Sequence, residues 1–151
     1  LSRGLGDVYK RQVFPGYLDD PDATARGLDA DGWLHTGDMA VVDDDGYLFL
    51  VDRAKDLIIV SGFNVYPAEV ERVLMTHPAV ADAGVVGVPH PHSGEAVKAF
   101  VVAAADRSVE EDELIEWCAT ELARYKCPTK IDVVDEIPRG MGGKTLRREL
   151  R

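Results

Sequence analysis

The sequence predicts an α+β fold, in which two helices cover a short, mainly antiparallel sheet. Three observations carry that expectation. Short apolar runs with strand character are bounded by Gly, Asp and Pro turns. Two longer stretches repeat apolar residues at helical spacing. The strands and helices do not alternate strictly, which argues against a doubly wound parallel sheet.

Taken in order, residues 13–51 read as loop and strand, turn-rich as far as Asp38. Met39-Ala40-Val41-Val42 and Tyr47-Leu48-Phe49-Leu50-Val51 flank an Asp43-Asp44-Asp45-Gly46 turn, the pattern of a hairpin. Leu57 to Val60 is a short buried strand that ends at Ser61-Gly62. A helix begins at Pro67, with proline in its first turn and Val70, Val73 and Leu74 on one face. Val85 to Val88 and Ala99 to Val102 form two strands joined by the His90-Pro91-His92-Ser93-Gly94 loop. Ser108 with Glu111 predicts a capping box that opens a second helix. Its core stripe is Leu114, Ile115, Cys118 and Leu122, with Trp117 alongside. Ile131 to Val134 is a last strand, followed by a glycine-rich loop and a short cationic helix.

The 151 residues hold 17 Lys and Arg against 27 Asp and Glu, a net charge of −10. That balance argues against nucleic acid or an anionic membrane as the main partner. No apolar run approaches the roughly 18 residues that a spanning helix needs. Cys118 and Cys127 lack metal-pair spacing and read as reduced, structural thiols, which points to the cytoplasm. Leu1 to Gln12 has no clear periodicity and reads as foreign sequence, outside the fold. A chain that starts without Met and in mid-pattern is expected to be part of a longer protein.

Several residues are better suited to chemistry than to packing. Lys144 lies between glycines and a cationic stretch, as a point charge able to reach a phosphate or carboxylate. Its Gly-Gly-Lys-Thr string does not make a phosphate-binding loop of the Walker kind, because Pro138 stands where that motif needs glycine. Asp38, after a glycine, has two acceptor oxygens that suit a ribose, and is otherwise a turn aspartate. Arg53 and Lys55 frame the junction before Leu57; the plain alternative is a solvated charge cluster with Asp52 and Asp56. Gly62 is either a turn residue or a point of close approach to a ligand. His90 and His92 read as loop residues rather than metal ligands.

Together Gly32-Trp33-Leu34-His35-Thr36-Gly37-Asp38, Asp52-Arg53-Ala54-Lys55-Asp56, Ser61-Gly62-Phe63-Asn64-Val65-Tyr66-Pro67-Ala68-Glu69 and Gly142-Gly143-Lys144 resemble the AMP-forming acyl-CoA synthetases. Val13-Phe14-Pro15-Gly16-Tyr17 resembles that family's approach to the first of these motifs, so the likeness runs from Val13 to Arg151. Such enzymes join a carboxylic acid to ATP as an acyl-adenylate, then pass the acyl group to the thiol of coenzyme A.

The resemblance implies a role for each residue. Asp38 and Arg53 bind the nucleotide ribose, Lys55 is the hinge, Lys144 bridges carboxylate and α-phosphate, and Gly62 with Phe63 meets CoA. It implies that residues 13–52 end a large N-terminal domain, 53–56 form the hinge and 57–151 make a small mobile C-terminal domain. The substrate loops, the Mg2+ that accompanies ATP and the acid pocket would belong to the N-terminal domain, working in cis. A fatty acid is the expected acid, and the isolated chain is expected to be inactive. Two other readings are an adenylation fragment of a peptide synthetase loading a carrier protein, and a non-catalytic lid module.

Overall fold

A computed structural model describes residues 15–150. The expectations for Leu1 to Gln12 and for Val13-Phe14 lie outside the described residues. The chain divides into two units between Asp38 and Met39.

In the first unit, helix α1 spans Pro21–Gly27. Residues 13–51 were expected to hold only loop and strand, so α1 is a correction. Its cause is local: Asp20 caps the helix by accepting from the Ala23 amide at 2.8 Å, and Pro21 starts it. None of its residues is buried, which explains why no apolar stripe announced it. A turn around Asp29 follows, whose carboxylate accepts from the Trp33 amide at 2.8 Å.

A two-stranded hairpin follows, β1 (Asp38–Val42) and β2 (Leu48–Arg53), all of it in the second unit except Asp38. Asp43 closes it by accepting from the Tyr47 amide at 2.8 Å. A single 3-10 turn, Ala54–Asp56, leads into the main sheet.

That sheet contains β3 (Ile58–Val60), β4 (Phe63–Val65), β5 (Val80–His90), β6 (Gly94–Ala103) and β7 (Lys130–Val133). Its order is β4-β3-β6-β5, with β7 pairing parallel to β6 and every other pair antiparallel. The α+β expectation is met. Strands β5 and β6 are far longer than the four-residue runs expected, because small residues such as Ala83, Gly84 and Ala96 continue the ladder.

Alternation along β5 and β6 sends side chains to two faces. Val85, Val97, Ala99 and Val101 join the main core under α2 (Pro67–Leu74) and α3 (Glu111–Glu121), with Val70, Leu74, Leu114 and Cys118. Val86, Val88, Phe100 and Val102 form a second, smaller cluster with Ile137 and Leu150 from the chain's end. The C-terminal tail therefore lies on the face opposite the helices. Burial pushes the Cys118 thiol up to about 12, as expected for a packed, unreactive cysteine. No helix among the described residues is long and apolar enough to cross a membrane.

The capping box is a second correction. The N-cap of α3 is Glu110, and no side chain caps it. The carboxylate of Glu111 instead accepts from the Ile131 amide at 2.9 Å, fastening the helix to β7. Glu111→Ala is therefore expected to lower the unfolding free energy by about 1–3 kcal/mol and Ser108→Ala by less than about 0.5 kcal/mol. Urea unfolding of both variants checks this, and equal losses would restore the capping box.

Candidate functional site

Asp38 lies in the first unit, at the point where the chain enters β1. Its amide donates to Thr36 Oγ1 at 3.2 Å, and the preceding Gly37 has φ +75. The carboxylate is exposed. The other expected residues all belong to the second unit.

Arg53 and Lys55 sit at the junction between β2 and β3, and both side chains are exposed. Their acidic neighbours are not a solvated cluster. The Asp52 side chain is only 4% exposed; its Oδ2 accepts from the Ala68 amide at 3.0 Å, at the start of α2. Its Oδ1 lies 3.7 Å from Arg147 Nη1, and Asp56 is 3.4 Å from the same nitrogen. Arg147 also places Nη2 at 2.9 Å from both Glu71 oxygens and donates from Nε to the Val85 carbonyl at 3.2 Å. Glu71 in turn accepts from the Val85 amide at 3.0 Å. Burial holds the Glu71 carboxyl above its ordinary range, with Arg147 pulling the other way.

Gly62 occupies the two-residue turn between β3 and β4, where Val60 pairs with Phe63. Ser61 and Gly62 have φ of +51 and +84, the signs of a primed hairpin turn. The turn alone thus requires glycine or a near equivalent. Open space also surrounds the place a Cβ would occupy. The Ser61 amide donates to the Ser93 carbonyl at 2.8 Å, which seats this turn beside the loop between β5 and β6. Phe63, 56% exposed, stacks on Tyr125 with ring centres 4.8 Å apart. An open cavity of about 400 Å³ adjoins them, lined among others by Ser61, His90, Ser93, Arg124 and Tyr125.

The Lys144 side chain is exposed and makes no hydrogen bond or ion pair among the described residues. Its loop is more ordered than three glycines suggest. Arg139 and Thr145 form a bridge, the Gly140 amide donates to the Lys144 carbonyl at 2.9 Å, and the Leu146 amide donates to the Pro138 carbonyl at 2.8 Å. Arg139 donates to the Gly143 carbonyl at 2.8 Å and to both Asp82 oxygens at 2.7 Å. The expected cationic helix after it is one 3-10 turn, Arg147–Glu149.

The Lys144 loop is anchored at Asp82, near the start of β5, whereas the Gly62 turn is anchored beside its end, where His90 pairs with Gly94. Over eight strand residues that separation is about 25 Å. Sequence reasoning missed Arg139, Asp82, Tyr125 and the Arg147 cluster; only proximity to the motifs hinted at any of them. Among the described residues no group of three or more His, Cys, Asp or Glu side chains is arranged to hold a metal ion.

A profile of the AMP-binding enzyme C-terminal domain matches residues 69–144, half of the chain. The chain belongs to that family. It is 53% identical over 140 residues to a long-chain-fatty-acid–CoA ligase of Escherichia coli O6:H1, covering 93% of this chain and 25% of that protein. It is 48% identical over 154 residues to 4-coumarate–CoA ligase 2 of Oryza sativa subsp. japonica, covering 100% of this chain and 27% of the relative. ATP-bound MatB from Rhodopseudomonas palustris superposes with a TM-score of 0.86 at 38% identity, covering 91% of this chain and 27% of MatB. The chain spans about a quarter of the length of the curated relatives it matches.

The turn geometry separates conformation from bulk at Gly62. Gly62→Val is expected to cost about 1–3 kcal/mol, since a branched residue resists positive φ. Gly62→Asn, which tolerates that region, is expected to cost less than about 1 kcal/mol. Urea unfolding of the two variants decides it, and equal costs would contradict the turn assignment.

Proposed function

We propose that this chain is the C-terminal part of an ATP-dependent acid:CoA ligase, with a fatty acid as the acid. In the first half-reaction a carboxylate oxygen attacks the α-phosphorus of ATP and pyrophosphate leaves, giving an acyl-adenylate. In the second, a thiolate sulfur attacks the acyl carbon and AMP leaves, giving the thioester. Lys144 serves the first step by placing its ammonium against the charge shared by carboxylate and α-phosphate. Gly62 and Phe63 serve the second, with the bare turn passing the pantetheine arm and the Phe63–Tyr125 stack beside it. Asp38 and Arg53 hold the ribose, and Mg2+ arrives with ATP on the N-terminal part.

The observation that carries this reading is the separation of about 25 Å between the anchor points of the Lys144 loop and the Gly62 turn. Features anchored so far apart on one body are poorly placed to meet the same acyl group at once. They serve it in turn if residues 57–151 rotate about a hinge at 53–56, the kind of closure that runs two reactions at one site. The unpaired ammonium of Lys144 supports the same reading, as does the match to CoA ligases on both fatty and aromatic acids. The isolated chain would lack the substrate pockets and be inactive.

In the full-length protein, Lys144→Ala is expected to slow adenylation by about a hundredfold or more. Thioester formation from supplied acyl-adenylate should survive. Pyrophosphate release and acyl-CoA formation, measured separately over a panel of fatty and aromatic acids, test the role and the substrate together. Equal loss in both steps would refute the division of labour, and preference for an aromatic acid would refute the fatty-acid assignment.

A further inference from the structure

We propose that Arg139 and Asp82 are positioning residues for Lys144, an inference that rests on the adenylation role given to that lysine. The backbone bonds of residues 138–146 close the loop on itself but do not attach it to the body of the domain. Ile137 and Leu150 are buried in the small cluster on β5, and Arg147 is held at Val85, so both ends of the tail are fixed. Between those ends stands a loop with glycine at 140, 142 and 143. Gly143 has φ +73 and open space around it. Left to themselves, such residues sample many conformations.

Arg139 removes that freedom. One arm of its guanidinium holds the carbonyl of Gly143, the residue before Lys144, and the other holds the Asp82 carboxylate. Asp82 is itself fixed: its Oδ1 accepts from the Ala83 amide at 2.9 Å, and it follows an irregularity in the β5–β6 register between Val80 and Asp82. Such an irregularity re-aims a side chain. The linkage therefore runs from strand to Asp82, to Arg139, to the Gly143 carbonyl and to Lys144. A lysine in Arg139's place has no fork with which to hold both partners.

The two side chains are 44% and 24% exposed, so the pair contributes little to global stability. Its effect is confined to where Lys144 sits. That separates it from an ordinary structural salt bridge.

The test compares Arg139→Gln, Asp82→Asn and the double variant in the full-length protein, with Lys144→Ala in the same assays. Each single variant is expected to slow adenylation about ten- to a hundredfold, as a misplaced catalytic group does. Thioester formation from supplied acyl-adenylate should stay within about twofold, and the double variant should be no worse than the worse single one. Amide exchange at Gly140 and Gly143 in this chain should quicken about tenfold or more, as their hydrogen bonds open more often. Loss with Arg139→Gln but not Asp82→Asn would overturn the proposal, because Arg139 would then act on substrate directly. Unchanged adenylation in both, with Lys144→Ala still inactive, would also overturn it. Should Lys144→Ala itself leave adenylation intact, the functional reading falls, whatever the exchange data say about the loop.

Discussion

Arg147 reaches the edge of β5 and donates to the Val85 carbonyl and to Glu71, with Asp56 and Asp52 against its other nitrogen. Four parts of the second unit meet there: the junction after β2, the helix α2, the strand β5 and the C-terminal tail. β5 ends the sheet order, and an unpaired strand edge needs its backbone groups satisfied. Glu71 and Arg147 do so at Val85, one accepting from the amide and the other donating to the carbonyl. Three carboxylates around one guanidinium are costly to bury, and burial dominates the shift at Glu71. An interaction of this kind adds little to stability when intact, yet removing one partner is expensive, because the others are left unpaired. Its contribution is to fix where the tail and the junction lie.

That placement accounts for the rest of the site. With Arg147 fixed at Val85 and Ile137 sunk beside Val86, the intervening loop has its base at the middle of β5, and Arg139 ties it to Asp82 near the strand's start. The Gly62 turn is seated at the other end by the Ser61 to Ser93 hydrogen bond. The long β5–β6 ladder thus acts as a spacer between two chemically different ends. Asp52 contributes from the other side of Lys55, accepting from the first turn of α2. A rotation about Lys55 would have to exchange that contact for another.

Much of this was legible in the sequence. The β1–β2 hairpin followed from its Asp-Gly turn, α2 from Pro67 and the Val70-Val73-Leu74 stripe, and α3 from Leu114 and Cys118. The motif residues stood out because packing does not demand them. What escaped was non-local or unstriped. Helix α1 buries nothing, so no periodicity marked it. Ser108 and Glu111 had the right spacing for a cap, but a backbone amide twenty residues on competed for Glu111 and won. Arg147 and Asp56 are 91 residues apart, and Arg139 and Asp82 are 57 apart; no local pattern encodes such pairs. The strands β5 and β6 were read short because alanine and glycine carry no strand signal, although the ladder runs through them.

Whether one body serves two steps in turn is decided by a pair of structures of the full-length protein bound to a non-hydrolysable acyl-adenylate analogue, one without CoA and one with it. Lys144 is expected at the analogue's phosphate position in the first and the Gly62 turn at its acyl group in the second. The body formed by residues 57–151 should be internally unchanged between them. A single arrangement in both structures, or Lys144 and Gly62 reaching the analogue together, would contradict it.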